Sequence, residues 1–316
     1  FANVAEKIPF TYATPSVVGS ISKTITALGI LNLVEEGIID LDAQASTYLP
    51  ANTFNNNVTV RELLSHASGL PMWPDWDDDL NTEEEFQEFF NFDHPAFLPR
   101  IAYYGYHTTP TSELRNGTAS YSNAGFTLLG AIIDYVTTHE VVTNPSFNGP
   151  GDYERYTWYR IGVPMKMYSM CLYTYWRTED ILNLSVGYHT NSDNIFYPVT
   201  NPDGGPGGWR GPAGGWSMTV GDLCRLMIGL NTHVLLSENL TSEMFETSLT
   251  SVNPTNASFR MGLGILRENN LGETTIMHLG NIDGYTARYT LWPERNFGIA
   301  ILTNEDDATG LRQLSY

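Results

Sequence analysis

The chain has 316 residues, of which 42% are hydrophobic and 16% are charged, a composition too apolar for wholesale disorder. No run of 18 apolar residues occurs, so the sequence predicts no membrane-spanning helix. The 35 acidic residues outnumber the 16 basic ones, and the resulting net charge of -19 repels phosphate backbones and anionic membranes. We therefore expect no nucleic-acid partner.

The first long helix is predicted immediately after Ser20. Apolar residues recur there at helical spacing, which predicts a helix over residues 21–36. We expect Ser20 or Ser22 to cap the start of this helix and Gly37 to end it, because serine favours N-caps and glycine favours C-terminal stops.

Three further segments predict helices. Residues 59–69 predict a short helix with Thr59 as its N-cap and Gly69 as its end. Residues 121–135 and 219–230 show the apolar periodicity of helices that bury one face.

The last third of the chain predicts β structure. Residues 285–292 and 297–303 are strand-like, and Pro293–Asn296 between them predicts a hairpin turn. Because the middle of the chain is helical, we expect an α/β plus all-α fold, in which an antiparallel sheet flanked by helices is interrupted by a mainly helical insertion. The expected domains are an α/β domain of residues 1–58 and 226–316 and a mainly helical domain of residues 59–225.

No residue pattern predicts a metal or a cofactor. Two cysteines, Cys171 and Cys224, are too few for a thiolate cluster and form either one disulfide or two separate thiols. The acidic segment 73–99 has no ligand-like spacing, so we expect a solvated loop followed by a helix N-terminus.

Five N-x-[ST] sequons bear on the location of the protein. About four would occur by chance in a chain of this composition, so they give weak support to the secreted or extracellular location that we expect. The sequons lie at Asn57, Asn116, Asn183, Asn239 and Asn256.

Ser20 and Lys23 form an S-x-x-K motif at the start of the first predicted helix. Positions i and i+3 share a helix face, so the lysine amine can reach the serine hydroxyl. A serine hydroxyl is a weak nucleophile until a base takes its proton, and a desolvated lysine with a lowered pKa can be that base. The alternative is a capping serine with an exposed lysine. Both stay open, although the chain has only three lysines.

Tyr121 and Asn123 precede the next predicted helix. A lysine ammonium beside the tyrosine would favour the phenolate, which can act as a general base or proton shuttle. The Asn123 amide could donate to a substrate carbonyl or to Lys23. Taken alone, the pair fits a buried tyrosine and a capping asparagine better than a catalytic pair.

His278, Leu279 and Gly280 form a third motif, followed by Asn281. Gly280 would let a substrate backbone lie close to a strand edge. The Asn281 N–H would be a second oxyanion donor, beside the helix N-terminus at Ser20. His278 would hydrogen-bond Tyr121 or the substrate, and a lone histidine at a strand end is the simpler alternative.

The order S-x-x-K, Y-x-N and H-x-G resembles the serine β-lactamase and penicillin-binding-protein superfamily, in particular its class C β-lactamase-like branch. The linking segments Val60–Pro71 and Ala213–Trp216 also resemble characteristic stretches of that family. His66, in the first of them, has no role in the implied mechanism, and we expect it to be structural and satisfied by backbone groups. The resemblance extends over most of residues 10–305.

The resemblance implies a serine hydrolase that needs no cofactor and acts through an acyl-enzyme on a small-molecule ester or peptide. It makes Ser20 the nucleophile, Lys23 its partner and Tyr121 the base, with Asn123 and residues 278–281 at the substrate and oxyanion. The implied activities are those of an esterase or a D-amino-acid peptidase or amidase, with acyl transfer as a further option. The alternative is a catalytically silent scaffold or binding protein on the same fold.

Two departures from the family pattern qualify this expectation. The family usually has K-T-G where this chain has His278-Leu279-Gly280, and a neutral imidazole is a poor anchor for the carboxylate of a β-lactam. The H-x-G form is similar to that of esterases, D-amino-acid peptidases and acyltransferases. The family also has sheet strands before its S-x-x-K motif and a closing C-terminal helix, and we expect both to be missing from this sequence.

Overall fold

The computed structural model describes eleven parts of the chain, and all structural statements below concern these parts: 1–50, 57–70, 72, 118–143, 152–172, 183–190, 195–199, 211–246, 249–251, 260–270 and 272–305. The acidic segment 73–99 lies outside them. They form helices and mainly antiparallel sheets, as the sequence predicts.

Strands in the described residues form three sheets. The largest has seven strands in the order β12-β11-β10-β9-β8-β7-β2, antiparallel except for the β2–β7 pair. A three-stranded sheet, β1-β6-β3, and the hairpin β4-β5 accompany it. The strands are β1 Ser16–Val17, β2 Thr118–Ala119, β3 Cys171–Leu172, β4 Tyr188–Thr190, β5 Phe196–Pro198, β6 Trp216–Met218, β7 Leu249–Ser251, β8 Arg260–Met261, β9 Leu266–Asn270, β10 Glu273–Ile282, β11 Tyr285–Trp292 and β12 Phe297–Thr303.

The described residues also form seven α-helices. They are α1 Ser22–Glu35, α2 Val60–Leu64, α3 Asn123–Thr143, α4 Tyr153–Thr157, α5 Gly211–Gly214, α6 Val220–Asn231 and α7 Glu238–Glu246, with a π-helical stretch at Trp158–Gly162. Turns of 3-10 helix occur at Gly19–Ile21, Ala45–Tyr48 and Pro293–Arg295. No helix in the described residues is long and apolar enough to cross a membrane.

Helix α1 confirms the prediction for residues 21–36 but not its cap. Its N-cap is Ile21, and no side chain of the described residues caps the helix. The Ser22 hydroxyl instead donates to the Gly19 carbonyl at 2.7 Å, inside the 3-10 turn that precedes the helix. Gly37 ends the helix as predicted, with a left-handed φ of 72° that costs glycine little.

Helix α2 begins as predicted but ends early. Thr59 caps it and forms a capping box with Glu62. The helix stops well before the predicted end at Gly69, because His66 has a left-handed backbone with φ 59° and an α-helix does not continue through such a residue. The chain turns there, toward the segment that carries Tyr121.

The remaining predicted elements are present. Helix α3 starts at Asn123 and runs to Thr143, beyond its predicted end, and α6 is capped by Thr219. Strands β11 and β12 have their predicted bounds, and Asn296, with φ 49°, closes the turn between them. The cysteines are two free thiols. Strand β2, inside the predicted helical segment, pairs with β7 of the large sheet, and the division into two domains stays a prediction.

Candidate active site

The S-x-x-K motif lies where α1 meets the large sheet. Ser20 is in the 3-10 turn before α1 and is partly exposed, whereas Lys23, one turn later, is 0% exposed. The Lys23 Nζ lies 3.1 Å from the Ser20 Oγ, so the predicted contact is confirmed. The alternative of a capping serine with an exposed lysine is excluded.

Lys23 has a second partner that sequence analysis missed. Its Nζ donates to the Ala213 carbonyl oxygen at 2.5 Å, and Ala213 lies in α5, far away in the sequence. The only signal for this contact was the family resemblance of the segment Ala213–Trp216. Burial lowers the pKa of Lys23 well below its ordinary value, because the low-dielectric interior disfavours the ammonium. In its neutral form the amine can donate to Ala213 and keep its lone pair for a proton from Ser20.

Tyr121 completes the group around Ser20. Lys23 Nζ lies 4.9 Å from the centroid of the Tyr121 ring, and the phenol hydrogen-bonds Ser20. Although part of Tyr121 remains accessible, burial raises the pKa of its phenol, and the hydrogen bond with Ser20 opposes that rise only in part. The expectation that Lys23 would favour the phenolate is therefore wrong for this structure, since burial disfavours both charged forms.

Asn123 is the first residue of α3 and is nearly fully buried, at 5% exposed. Its backbone N–H donates to the Met72 carbonyl oxygen at 3.0 Å. The structure therefore places the asparagine of the Y-x-N motif at the start of α3, two residues after Tyr121. A contact of its side-chain amide with Lys23 or with a substrate carbonyl stays a prediction.

His278 lies in β10 and is buried, at 2% exposed. Burial, with a smaller contribution from the Lys23 charge, lowers the pKa of its imidazole to about 3, so the predicted neutral form is confirmed. The His278 Nδ1 lies 2.7 Å from the Leu279 carbonyl oxygen. Because a carbonyl only accepts, we assign the proton to Nδ1, which leaves Nε2 as an acceptor.

Gly280 lies directly against the turn that carries Ser20. A Cβ at this position would overlap the Val18 carbonyl oxygen and lie 3.3 Å from the Ser20 backbone nitrogen. A Cβ on Gly19 would likewise lie 2.9 Å from the Asn281 backbone nitrogen. Glycine at 280 is therefore required for β10 to approach the Ser20 turn, a reason that sequence analysis did not anticipate. The same approach brings the Asn281 N–H beside that turn, where the predicted oxyanion donor belongs.

His66 is the fourth buried titratable group of the site. It is 3% exposed, and its Nδ1 accepts a hydrogen bond from the Ser122 backbone N–H at 3.0 Å, in agreement with the expected satisfaction by backbone groups. Burial lowers its pKa well below the ordinary value, and the nearby Lys23 and His278 add to the shift because their charged forms would repel a second cation. Burial thus favours the neutral forms of Lys23, Tyr121, His66 and His278 alike.

Known proteins resemble the chain both in sequence and in structure. A family model described as Beta-lactamase matches residues 1–314. Penicillin-binding protein 4* of Bacillus subtilis is 32% identical over 134 residues, which are 42% of this chain and 28% of that protein. Protein flp of Staphylococcus aureus is 23% identical over 321 residues, covering 96% of this chain and 55% of its own length. The chain therefore spans about half or less of the length of these curated relatives.

Solved structures share the fold. The penicillin binding protein from Bacillus halodurans superposes with a TM-score of 0.76 at 22% identity, over 99% of this chain and 89% of that chain. The D-amino acid amidase from Ochrobactrum anthropi SV3, complexed with L-phenylalanine amide, gives 0.72 at 23% identity, over 96% and 80%. Since the family model also matches almost the whole sequence, the chain belongs to the Beta-lactamase family of serine hydrolases.

Proposed function

We propose that this protein hydrolyses small esters, or D-amino-acid peptides and amides, through an acyl-enzyme on Ser20. The observation that carries the proposal is the 3.1 Å contact between Ser20 Oγ and the Nζ of a fully buried Lys23. Burial lowers the pKa of this lysine and so favours the unprotonated amine, which is what a serine nucleophile needs as its base.

The acylation step follows from these positions. The Ser20 Oγ attacks the carbonyl carbon while its proton passes to the Lys23 amine. The carbonyl electron pair moves onto the oxygen, which the backbone N–H groups of Ser20 and Asn281 stabilise. When the tetrahedral intermediate collapses, the leaving alkoxide or amine takes the proton from Lys23 through the Tyr121 hydroxyl. A water molecule then attacks the acyl-enzyme, and the same groups carry its proton back to Ser20.

The third motif favours substrates without a carboxylate next to the scissile bond. The neutral His278 imidazole offers an acceptor at Nε2, whereas a carboxylate needs a cation or a donor. The formal net charge of -19 adds long-range repulsion of anions. Neutral esters are thus the first substrate class, and D-amino-acid amides or peptides the second, a class supported by the D-amino acid amidase among the fold neighbours.

The alternative function, a silent scaffold or binding protein, is supported less well. Enclosing a lysine completely costs stability, because the ammonium loses its hydration. A protein without catalytic need would gain from an apolar residue at position 23. The protein nevertheless buries Lys23, and it holds the amine against Ser20 and Ala213 in a geometry that suits proton transfer.

The experiment that tests the proposal is covalent labelling with a fluorophosphonate. Intact-mass spectrometry should show one adduct, and peptide mapping should place it on Ser20, with no adduct in Ser20→Ala. Ser22 and Ser122 are internal controls, because their hydroxyls are engaged with Gly19 and with the Gly125 N–H. An adduct on either control serine would contradict the assignment of the nucleophile. No adduct and no turnover of a panel of p-nitrophenyl esters would support the silent scaffold.

A further inference from the structure

His66 contacts both neighbours of Tyr121. Ser120, the residue before Tyr121, donates its backbone N–H to the His66 carbonyl oxygen at 2.8 Å. Ser122, the residue after it, donates its backbone N–H to the His66 Nδ1 at 3.0 Å. One buried residue therefore holds the backbone on both sides of the tyrosine.

The His66 ring also contacts the Tyr121 ring. The two rings are stacked with their centroids 4.4 Å apart and their planes inclined by 24°, and the Phe126 ring lies 5.0 Å from the imidazole. Stacking of this kind restricts the plane of the phenol. The same phenol ring lies below Lys23 Nζ, and its hydroxyl hydrogen-bonds Ser20. A rotation of the Tyr121 ring would break those contacts as well as the stack.

The backbone of His66 explains how one residue makes these contacts. Its φ of 59° is left-handed, a region that few residues other than glycine adopt and in which asparagine and histidine are enriched. In this conformation its carbonyl oxygen and its Nδ1 both face the segment of residues 120–122. The Ser122 N–H can donate only to an unprotonated Nδ1, so the imidazole is neutral with its proton on Nε2.

We propose that His66 is a positioning residue, which holds Tyr121 against Ser20 and Lys23 through the Ser120 and Ser122 backbone and through ring stacking. The inference rests on the proposed role of Tyr121 in proton transfer. His66 itself does not need to touch the reacting atoms. It acts on the orientation of the phenol, and a misplacement of about 1 Å in such a group can cost about 10²-fold in rate.

Two substitutions separate the hydrogen bond from the ring. His66→Phe keeps an aromatic ring for stacking and removes the acceptor for the Ser122 N–H. His66→Asn removes the ring, offers its amide oxygen near the place of Nδ1 and tolerates the left-handed backbone. The matched controls are His233→Phe and His233→Asn, since His233 also has a left-handed backbone, with φ 58°, but is exposed.

The first readout is the burst of p-nitrophenol from an ester, measured on protein whose folded fraction is known from its melting curve. We expect His66→Phe to slow acylation by about 10²-fold with little change in KM. His66→Asn should acylate at least about tenfold faster than His66→Phe. The two His233 variants should acylate at the original rate. Acylation by His66→Phe at the original rate, or equal losses in the two His66 variants, would overturn the proposal.

A double-mutant cycle with Tyr121→Phe separates positioning from general packing. If His66 acts through the Tyr121 hydroxyl, His66→Phe should cost little further rate in the Tyr121→Phe background. If His66 serves only general packing, His66→Phe should slow acylation by the same factor with and without Tyr121→Phe. That result would contradict the proposal. If Tyr121→Phe by itself leaves the acylation rate unchanged, the result contradicts the proposed role of Tyr121.

A readout without turnover keeps the inference testable if no substrate is found or His66→Phe does not fold. Amide hydrogen exchange of Ser122, followed by NMR, should be slow in the unsubstituted protein and in His66→Asn, and fast in His66→Phe. The 15N shift of the His66 Nδ1 should be that of an unprotonated nitrogen. A protonated Nδ1, or unchanged Ser122 protection in His66→Phe, would refute the hydrogen bond that the proposal requires.

Discussion

Lys23 and Tyr121 lie close together, and charge and burial affect the ionisation of the two side chains in opposite directions. The attraction between ammonium and phenolate would favour the ion pair, whereas desolvation of each group favours the neutral form. Burial lowers the pKa of Lys23 and raises that of Tyr121, so desolvation prevails here. This agrees with the proposal that the Lys23 amine is the base for Ser20 and that the Tyr121 hydroxyl carries a proton onward.

We expect Tyr121→Phe to slow acylation by about 10²–10⁴-fold, the usual contribution of a group that transfers a proton. The substitution removes the hydroxyl but keeps the ring that stacks on His66, so the melting temperature should change little. Stopped-flow measurement of the ester burst gives the rate. Tyr12→Phe, at a tyrosine that is 79% exposed, is the control. An unchanged acylation rate in Tyr121→Phe would remove Tyr121 from the mechanism.

At the scale of elements, helix α3 contains a buried carboxyl group, that of Asp134, whose ionised form the fold disfavours. Asp134 is 1% exposed, and its Oδ1 accepts the Tyr153 backbone N–H at 3.2 Å. Its Oδ2 has no hydrogen-bond partner among the described residues. Burial raises the pKa of Asp134 from 3.8 to about 6, with the Tyr153 hydrogen bond acting in the opposite direction.

We expect Asp134→Asn to stabilise the protein at pH 7. Because the folded pKa is raised, the wild-type protein loses stability as the pH rises from about 4 through about 6, where Asp134 ionises at a cost in the fold. A rise of about two pKa units corresponds to about 3 kcal/mol, and asparagine avoids that cost while keeping the acceptor for Tyr153.

Urea unfolding at several pH values measures this effect. The gain from Asp134→Asn should be greatest above pH 6 and vanish below about pH 4, where both states of the wild-type protein bind the proton. The exposed Asp283 provides the control substitution Asp283→Asn, against which the gain from Asp134→Asn is compared. A gain that is the same at pH 4 and pH 7 would contradict the argument from burial.

Elements also differ in how far sequence could predict them. Strands β11 and β12 were predicted with their observed bounds because residue alternation and the Pro293–Asn296 turn are local signals. The end of α2 and the cap of α1 were missed. Each depends on a contact elsewhere in the fold: His66 turns toward the Tyr121 segment, and the Ser22 hydroxyl lies between the Gly19 carbonyl and the Trp216 N–H.

At the scale of the whole molecule, the net charge of -19 should shape substrate choice together with His278. A cephalosporin has a carboxylate beside its ring, and the loss of a charge-assisted contact there costs about 1.5–3 kcal/mol. That corresponds to about ten- to a hundred-and-fifty-fold in kcat/KM. We expect kcat/KM for a neutral p-nitrophenyl ester to exceed that for a chromogenic cephalosporin, and a cephalosporin value equal to or above the ester value would contradict this.

Salt and substitution separate the global charge from the local one. Salt screens long-range repulsion, so it should raise kcat/KM for the anionic cephalosporin and leave the ester value unchanged. His278→Lys should raise the cephalosporin-to-ester ratio even at high salt if the substrate carboxylate keeps the new lysine protonated, because the pair then supplies the missing charge-assisted contact. If neither treatment changes that ratio, pocket shape and not charge sets the specificity.

The sequence by itself determined the features that depend on short separations along the chain. The i, i+3 spacing of Ser20 and Lys23 brings hydroxyl and amine together on one face of a helical segment, and the order of the three motifs identified the family. The neutral form of His278 was also predicted, because an unperturbed imidazole is mostly neutral at pH 7.

Only the tertiary structure decided how these groups are held and charged. The Ala213 carbonyl reaches Lys23 from a separate helix, β10 approaches the Ser20 turn because Gly280 has no side chain, and His66 stacks on Tyr121. Burial depends on every element packed around a group, so the shifts in the pKa of Lys23 and of Tyr121 have no local signal. For that reason the expected phenolate was wrong, whereas the predicted contact of Lys23 with Ser20 and the predicted position of Lys23 beside Tyr121 are both present.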